Sequence, residues 1–302
     1  DATHTREGGS TLDGASPSRQ FPQPMKLGIY NRTFDRPTIE ENLDAVAAAG
    51  LETVQFDLLT VGLETLPDEL PPEVCTRVRT ALAHRNIEMA ALSGTFNVIH
   101  PTLGPAGLKR LRLLAEACPA LGTDLITMCT GTRDQDYLWG GHPDNDTTDA
   151  WNESVRAMAA ATAIAEQAGI TLVFEPEVNN VVNTAAKARR LLDDLASPHL
   201  QVVVDGANLF HKGQLSRMHE VLDEAFDLLG DDIRLAHAKD LEKDGDAGHQ
   251  AAGTGVLDYP HYLECLDRVG FAGNVILHSL EEAQVSASKA FVLERMPSSP
   301  KP

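Results

Sequence analysis

The chain has 302 residues, enough for one large α/β domain or two modest ones with a full hydrophobic core. Its formal net charge of −19 argues against binding to nucleic acid or to an anionic membrane, because the phosphates would be repelled. No apolar run approaches the ~20 residues of a membrane span. The four cysteines form no C-x-x-C pair, which is typical of reduced thiols and predicts a cytoplasmic protein.

Both ends of the chain have the composition of disordered segments. Residues 1–24 are polar, rich in Gly, Ser, Thr and Pro, and lack the apolar segment of a secretory signal, so they predict a disordered leader. Residues 296–302, which include PSSPKP, predict a disordered tail. We therefore expect a single folded domain over residues 25–295.

Between these ends, short apolar runs alternate with amphipathic stretches. Most of the runs are continuously apolar, as in parallel strands that are covered on both faces. They are spaced roughly 26 to 46 residues apart, which leaves room for a helix and two loops in each unit. Eight strands are predicted, beginning near Lys26, Glu52, Ile87, Asp124, Ile170, Gln201, Asp232 and Asn274.

The intervening stretches carry helix start and stop signals. Thr38 and Glu41 form a capping-box pattern ahead of apolar residues at helical spacing, and this helix is expected to stop at Gly50. A long helix is predicted over residues 149–169, ending at Gly169.

Eight β/α units predict a closed (β/α)₈ TIM barrel of the α/β class, for which ~250 residues is typical. A doubly wound open sheet is the alternative architecture. The segment LGIYNRTF at the first strand lacks the Gly-rich phosphate fingerprint of that fold. We therefore predict the barrel.

Four of the predicted strands end on a side chain that can bind a metal: Glu175, Asp205, His237 and His278. In a barrel the carboxyl ends of the strands face one side and build the active site. Each residue alone is more often a helix cap or a satisfied polar group. Four such residues in consecutive units favour a divalent metal site.

The segments AGITLVFEPE, VVVDGAN, LAHAKD and GTGVLDY carry a resemblance to a known family. From Met25 to about residue 295 the chain resembles the xylose isomerase-like superfamily of sugar phosphate isomerases and epimerases. The resemblance implies Glu175, Asp205 and His237 as metal ligands. It also implies Asn208 and Lys239 as residues that face the substrate.

The chain departs from the family pattern at the eighth strand. When Gly270 and Gly273 are aligned with G-[YF]-x-G-x-x-x-x-E, His278 takes the place of the glutamate that serves the family as ligand and acid/base. An imidazole can still bind a metal, but a metal-bound imidazole is a poor proton shuttle. The remaining candidates for a second acid/base are Glu177, Glu281 and Lys239.

Loops after the other strands supply candidate substrate contacts. Asn31, with Arg32, follows strand one and Asn97 follows strand three. The loop over residues 130–143 carries Arg133 and Trp139, and the tryptophan offers a platform for a sugar face. His100 and His142 also lie in these loops, where a structural role before a proline is as well supported as a role in the site.

The resemblance implies a divalent-metal-dependent isomerase or epimerase of a sugar, sugar phosphate or keto-polyol. Such an enzyme moves a proton next to a carbonyl through a metal-stabilised enediolate. Glu175 and Lys239 are the predicted catalytic residues. Mixed oxygen and nitrogen ligands favour Mn²⁺, with Co²⁺, Zn²⁺ and Mg²⁺ as alternatives.

Other functions on the same fold stay open. A metal-dependent dehydratase or lyase acting on a keto-sugar or inosose is the main alternative, and a non-catalytic metal-binding barrel is another. The DNA endonuclease branch of the superfamily is disfavoured, because Asn208 and Cys129 stand where it needs histidines. We expect a small carbohydrate as the partner, no nucleic acid or membrane, and a homodimer as the default assembly.

Overall fold

A computed structural model describes residues 25–297 of the chain. The predicted leader, residues 1–24, and all but the first two residues of the predicted tail lie outside the described residues. The last helix of the described residues is α8 (Val285–Leu293), which ends near the predicted end of the domain.

Within residues 25–297, eight parallel strands form a closed barrel. The barrel strands are β1 (Lys26–Tyr30), β2 (Thr53–Phe56), β3 (Glu88–Ser93), β4 (Leu125–Met128), β5 (Thr171–Phe174), β6 (Leu200–Asp205), β7 (Ile233–Asp240) and β9 (Asn274–Leu277). Pairing of β9 with both β1 and β7 completes the circle. A two-residue strand, β8 (Gln250–Ala251), pairs antiparallel with the end of β7. The (β/α)₈ prediction is confirmed, and each barrel strand begins within one residue of its predicted start.

In the described part of the chain, helices pack around the outside of the barrel. They are α1 (Ile39–Ala48), α2 (Pro72–Ala83), α3 (Leu103–Leu121), α4 (Thr148–Ala168), α5 (Ala185–Leu195), α6 (Met218–Leu229), α7 (Tyr259–Arg268) and α8. The side chain of Thr38 accepts a hydrogen bond from the backbone N–H of Glu41, which confirms the predicted start of α1. Gly169 ends α4 in a left-handed conformation with φ of 69°, as predicted for that helix.

The inside of the barrel holds a small apolar layer that fixes where the polar residues point. Val173, Val203, Leu235 and Ile276 belong to this buried layer. Successive side chains of a strand point to opposite faces, so residues two positions further on also point inward. Those residues are Glu175, Asp205, His237 and His278. The apolar layer therefore lies directly beneath the polar side chains at the strand ends.

No helix among residues 25–297 combines the length and the apolarity that a membrane-spanning segment requires.

Candidate metal and substrate site

The carboxyl ends of the barrel strands surround a cavity of about 380 Å³. Its walls come from every barrel strand or the loop that follows it, so residues far apart in sequence face one another. The residues that line it include Tyr30, Arg32, Gln55, Asp57, Ser93, Thr127, Trp139, Glu175, Glu177, Asn208, His237, Lys239, His249 and His278. This is the position at which TIM barrels carry their active sites.

Three of the predicted metal ligands meet at the floor of the cavity. The Nδ1 atom of His237 lies 3.5 Å from Oδ2 of Asp205 and 3.8 Å from Oε1 of Glu175. One ligand atom from each of the three lies within 4.8 Å of the other two. Asp205 and His237 are register partners on β6 and β7, which explains why their side chains are neighbours.

The chemistry of these three side chains fits a divalent cation. Asp205 Oδ2 and His237 Nδ1 are buried and make no hydrogen bond within the described structure, although the ammonium of Lys239 is an ion-pair partner of Asp205 Oδ2. Buried polar atoms that lack hydrogen bonds cost free energy, and these two lie 3.5 Å apart, so one bound cation would satisfy both. Two carboxylates and an imidazole are ligands that Mn²⁺, Co²⁺ and Zn²⁺ accept.

The orientation of His237 is set by a hydrogen bond on its other nitrogen. Nε2 lies 2.9 Å from Oε1 of Gln55, whose amide nitrogen is 3.3 Å from the hydroxyl of Ser93. With Nε2 donating to Gln55, Nδ1 is directed at the carboxylates. Burial alone would lower the pKa of His237, but Asp205 and Glu175 outweigh it and raise that pKa to about 9.

A buried network around Lys239 holds the two carboxylates in place. Its ammonium lies 3.2 Å from Asp205 Oδ2 and donates to the side-chain oxygen of Asn208 at 2.9 Å. Asn208 in turn donates to Glu175. Burial opposes the charge of Asp205, yet Lys239 and His237 hold the pKa of that carboxyl well below its usual range. Lys239 and Asn208 therefore position the carboxylates as well as facing the cavity.

A third carboxyl group, Glu177, faces the same cavity without being part of the three-residue cluster. It accepts hydrogen bonds from the backbone of Asn179 and from the side chain of Asn180. Burial raises the pKa of Glu177 to about 8, despite those bonds, and the nearby charge of Glu175 adds to the shift. Glu177 therefore holds its proton at pH 7.

His278 lines the cavity but is not one of the three clustered ligands. Its ring is stacked between those of Tyr30, at 4.6 Å between centroids, and His237, at 4.8 Å. Burial lowers the pKa of His278 well below its usual value, and the positive charges of His237 and Lys239 lower it further. It is thus a neutral imidazole, and its assignment as a fourth ligand stays a prediction.

Helix α7 supports the strand that carries His237 and Lys239. The hydroxyl of Tyr262 donates to the backbone carbonyl of His237 at 2.9 Å, and that of Tyr259 donates to the carbonyl of Lys239 at 2.8 Å. Both tyrosines are fully buried between the helix and the barrel. The backbone at both site residues is therefore held from outside the barrel.

Of the predicted substrate contacts, Trp139, Asn208 and Lys239 lie in the cavity wall, but Asn31 does not. The amide group of Asn31 is buried, donates to Thr60 and accepts from the backbone N–H of Asp57, so it joins the loops after β1 and β2. Nothing in the structure supports the expectation that Asn31 contacts substrate.

Asn97 and Arg133 also lie outside the cavity wall, so nothing in the structure supports the expectation that they contact substrate. Asn97 donates to the carbonyls of Thr132 and Asp134 and accepts from backbone N–H groups, so it joins the loops after β3 and β4. Arg133 is paired with Glu153 on α4 at 2.7 Å. Position in a loop alone does not distinguish a side chain that contacts substrate from one that connects the loop to a neighbouring element.

Three further candidates have local structural roles. Nδ1 of His100 accepts from the backbone at the start of α3, and Nδ1 of His142 accepts from the backbone of Asp144. Glu281 is exposed on the turn before α8 and does not line the cavity. Of the three candidates for a second acid/base, Glu177 and Lys239 thus remain at the site.

Sequence reasoning named Arg32 but missed Tyr30, Gln55 and Asp57, which β1, β2 and the loop after β2 contribute to the cavity. Tyr30 ends β1 and donates to Asp57, which follows β2, while Arg32 lies 3.8 Å from the same carboxylate. Gln55 also belongs to β2. The rule that identified the later ligands, a polar residue where an apolar strand ends, would have found Tyr30 and Asp57 if applied to KLGIY and ETVQFD.

The fold and site define the class of protein. Residues 43–294 match the family described as xylose isomerase-like TIM barrel, and the chain belongs to that family. A ketose 3-epimerase from Arthrobacter globiformis is 22% identical to it over 275 residues, covering 87% of this chain and 86% of that enzyme.

Two solved structures illustrate the likeness in fold. The IOLI protein with a binding zinc atom superposes with a TM-score of 0.70 at 18% identity, covering 91% of this chain and 100% of that one. The probable 3-DHS dehydratase AsbF from Bacillus anthracis superposes with a TM-score of 0.68 at 14% identity, covering 89% and 98% of the two chains.

Proposed function

We propose that the protein is a divalent-metal-dependent isomerase or epimerase of a ketose or related keto-polyol. The observation that carries the proposal is the cluster of Glu175, Asp205 and His237, with two buried polar atoms that make no hydrogen bond, at the floor of a barrel-end cavity. The similarity to a ketose 3-epimerase supports the same class of reaction.

In this proposal Glu175, Asp205 and His237 hold the ion, and His278 is the candidate for a fourth position. When bound, a divalent ion stabilises negative charge on the substrate oxygens next to the carbon that loses its proton. Gln55 keeps the imidazole of His237 turned toward the carboxylates, since it accepts from Nε2. We expect Mn²⁺, with Co²⁺, Zn²⁺ and Mg²⁺ as alternatives.

Two carboxyl groups of the cavity, Glu175 and Glu177, supply the base and the acid. Glu175 removes the proton from the carbon next to the carbonyl, as the resemblance implies. Glu177, neutral near pH 7 because burial raises its pKa to about 8, is able to return a proton to the substrate. Pairs of carboxyls whose environments separate their pKa values are typical of acid–base sites.

The remaining cavity side chains favour a polyhydroxylated substrate. Lys239 is buried and, although burial opposes its charge, Asp205 and Glu175 raise its pKa, so it presents a fixed positive charge to a substrate oxygen. Trp139 provides an apolar face, and the amide and hydroxyl groups of Asn208 and Thr127 are suited to sugar hydroxyls. A small carbohydrate partner and a homodimer remain predictions.

A dehydratase or lyase is the second candidate, and His278 is the observation that favours it. A neutral imidazole stands where the family's second glutamate would face the substrate, so the two-glutamate route to epimerisation is missing. The similarity in fold to a probable 3-DHS dehydratase supports this alternative. Elimination needs one base and one acid for the departing hydroxyl, and Glu175 with Glu177 meets that need.

One experiment tests the proposal and separates the two reactions. The chelator-treated protein is loaded with Mn²⁺ and incubated in D₂O with a panel of ketoses and inososes, and products are analysed by mass. Isomerisation or epimerisation gives a product of unchanged composition with deuterium at the reacting carbon, whereas dehydration gives a product one water lighter. Glu175→Gln and Asp205→Asn should abolish turnover, with Arg133→Ala as a control outside the cavity.

The proposal fails if the Glu175→Gln and Asp205→Asn proteins fold, bind as much Mn²⁺ as the wild type and turn over normally. Stoichiometric metal without turnover on the whole panel would favour a barrel that binds its ligand without catalysis.

A further inference from the structure

A second group of metal-binding side chains lies on the outside of the barrel, between α6 and α7. Asp223 is on α6, and His261 and Cys265 are on α7. His261 and Cys265 are four residues apart, as are His219 and Asp223, so each pair lies on one face of its helix. None of these four residues lines the barrel cavity.

The three closest ligand atoms are already spaced as in a tetrahedral metal site. His261 Nε2 lies 3.2 Å from Asp223 Oδ1, and Cys265 Sγ lies 3.5 Å from Asp223 Oδ1 and 3.6 Å from His261 Nε2. Zinc bonds of about 2.0–2.3 Å at tetrahedral angles place neighbouring ligand atoms about 3.3–3.6 Å apart. The observed triangle therefore has the dimensions of three ligands around one Zn²⁺.

His219 lies beside these three residues but is not one of the clustered set. Its ring is stacked on that of His261 at 4.0 Å between centroids, and its Nε2 lies 2.8 Å from Asp258 Oδ2. A water molecule is the candidate for the fourth position, because the side chain of Asp223 is 40% exposed to solvent.

A surface ion pair or a catalytic relay would account for fewer of the contacts in this cluster. An ion pair accounts for His261 or Arg268 beside Asp223, but such pairs contribute little and do not require the thiol. A Cys–His–Asp relay needs the two partners of the histidine on different ring nitrogens. Here the same nitrogen, Nε2, faces both Asp223 and Cys265, which is the arrangement around a shared ion.

We propose that Asp223, His261 and Cys265 bind a zinc ion that joins α6 to α7, with water as the fourth ligand. Soft thiolate and imidazole ligands with one carboxylate select zinc over magnesium or calcium. Arg268 also lies 3.2 Å from Asp223 Oδ1, and it has a second carboxylate partner in Asp227, at 3.4 Å. The proposal is independent of the reaction assigned to the barrel.

Cobalt titration of the full-length protein tests this site separately from the barrel site. A thiolate bound to Co²⁺ gives a charge-transfer absorption in the near ultraviolet, and the residues lining the cavity include no cysteine. We expect one equivalent of this absorption, displaced by Zn²⁺. It should be absent in Cys265→Ser, retained in Cys75→Ser, and weakened by about tenfold or more in affinity in His261→Gln.

Cys75→Ser is the matched control because it replaces another buried thiol, on α2, that belongs to no such cluster. The proposal is overturned if the wild type shows no thiolate absorption on saturation with Co²⁺. It is equally overturned if the absorption survives Cys265→Ser, or if His261→Gln binds Co²⁺ with wild-type affinity. Circular dichroism of each variant identifies any loss of absorption that comes from unfolding.

Discussion

The Nε2 atom of His237 lies 2.9 Å from Oε1 of Gln55, across the barrel from β7 to β2. This contact determines which nitrogen of the imidazole faces Asp205 and Glu175, because the nitrogen that donates to Gln55 cannot also bind an ion. Partners of this kind commonly influence metal affinity as strongly as some ligands do.

Replacing Gln55 by Ala should therefore weaken metal binding by about 10–100-fold, although Gln55 is not a ligand. Without its acceptor, the ring of His237 is free to turn away from the carboxylates. Competition titration against a chelator measures the affinity. Ser93→Ala serves as the control, since it removes only the far partner of Gln55; equal losses in both variants would contradict the orienting role.

Asp205→Asn should destabilise the metal-free protein by about 3–5 kcal/mol, because it leaves the buried Lys239 without its nearest counter-ion. Adding Lys239→Met should recover most of the lost free energy of unfolding, since it removes the unpaired charge. Urea denaturation of the wild type, both single variants and the double variant measures the coupling. Additive effects of the two substitutions would show that the pair does not interact.

Glu177 should make the metal-free protein less stable as the pH rises from about 4.5 to about 8. The folded protein keeps a proton on Glu177 up to about pH 8, whereas the unfolded chain releases it near 4.5, so folding is disfavoured as that proton is lost. Glu177→Gln should flatten this part of the stability profile, measured by thermal denaturation at fixed ionic strength. Glu153→Gln, outside the cavity, should leave the profile unchanged.

Metal affinity should rise with pH up to about 9. The pKa of His237 is about 9 in the metal-free protein, because Asp205 and Glu175 outweigh burial, so an ion must displace a proton below that pH. Titration calorimetry in buffers of different ionisation enthalpy counts the protons released. An affinity that is constant between pH 6.5 and 8.5 would exclude His237 as a ligand.

Trp139→Ala should raise KM for the substrate, whereas Asn97→Ala and Arg133→Ala should leave KM unchanged. Trp139 lines the cavity, while the other two side chains are used in joining loops and in an ion pair. Steady-state kinetics on the substrate identified by the panel provides the comparison. Thermal denaturation of the Asn97 variant should still reveal a loss of stability, because its amide group makes several backbone hydrogen bonds.

The barrel and the three clustered side chains were predictable because their signal is local. Apolar runs of strand length recur along the chain, and Glu175, Asp205 and His237 each end such a run. The direction of a side chain within a loop could not be predicted in this way, because it depends on partners that are distant in sequence. Asn97 and Arg133 are polar loop residues like Trp139, and only the positions of Thr132 and Glu153 show that they are engaged elsewhere.

The protonation state of Glu177 could not be predicted from the sequence either. It stands two residues after Glu175 in EPE, and nothing in that motif distinguishes an ionised carboxylate from a neutral acid. The difference arises from burial, which depends on how the whole barrel closes around the group. The partner of His237 on β2 likewise depends on packing across the barrel, 182 residues away in sequence.

The hydrogen bonds from Tyr259 and Tyr262 to the carbonyls of Lys239 and His237 limit the positions at which the chain can be circularly permuted. A circular permutant with its new termini between β7 and α7 would place the tyrosines and their acceptors at opposite ends of the polypeptide. New termini in the loop between α1 and β2 would leave this strand–helix unit covalently continuous. In the first permutant the side chains of His237 and Lys239 should therefore be misplaced, even if the barrel still forms.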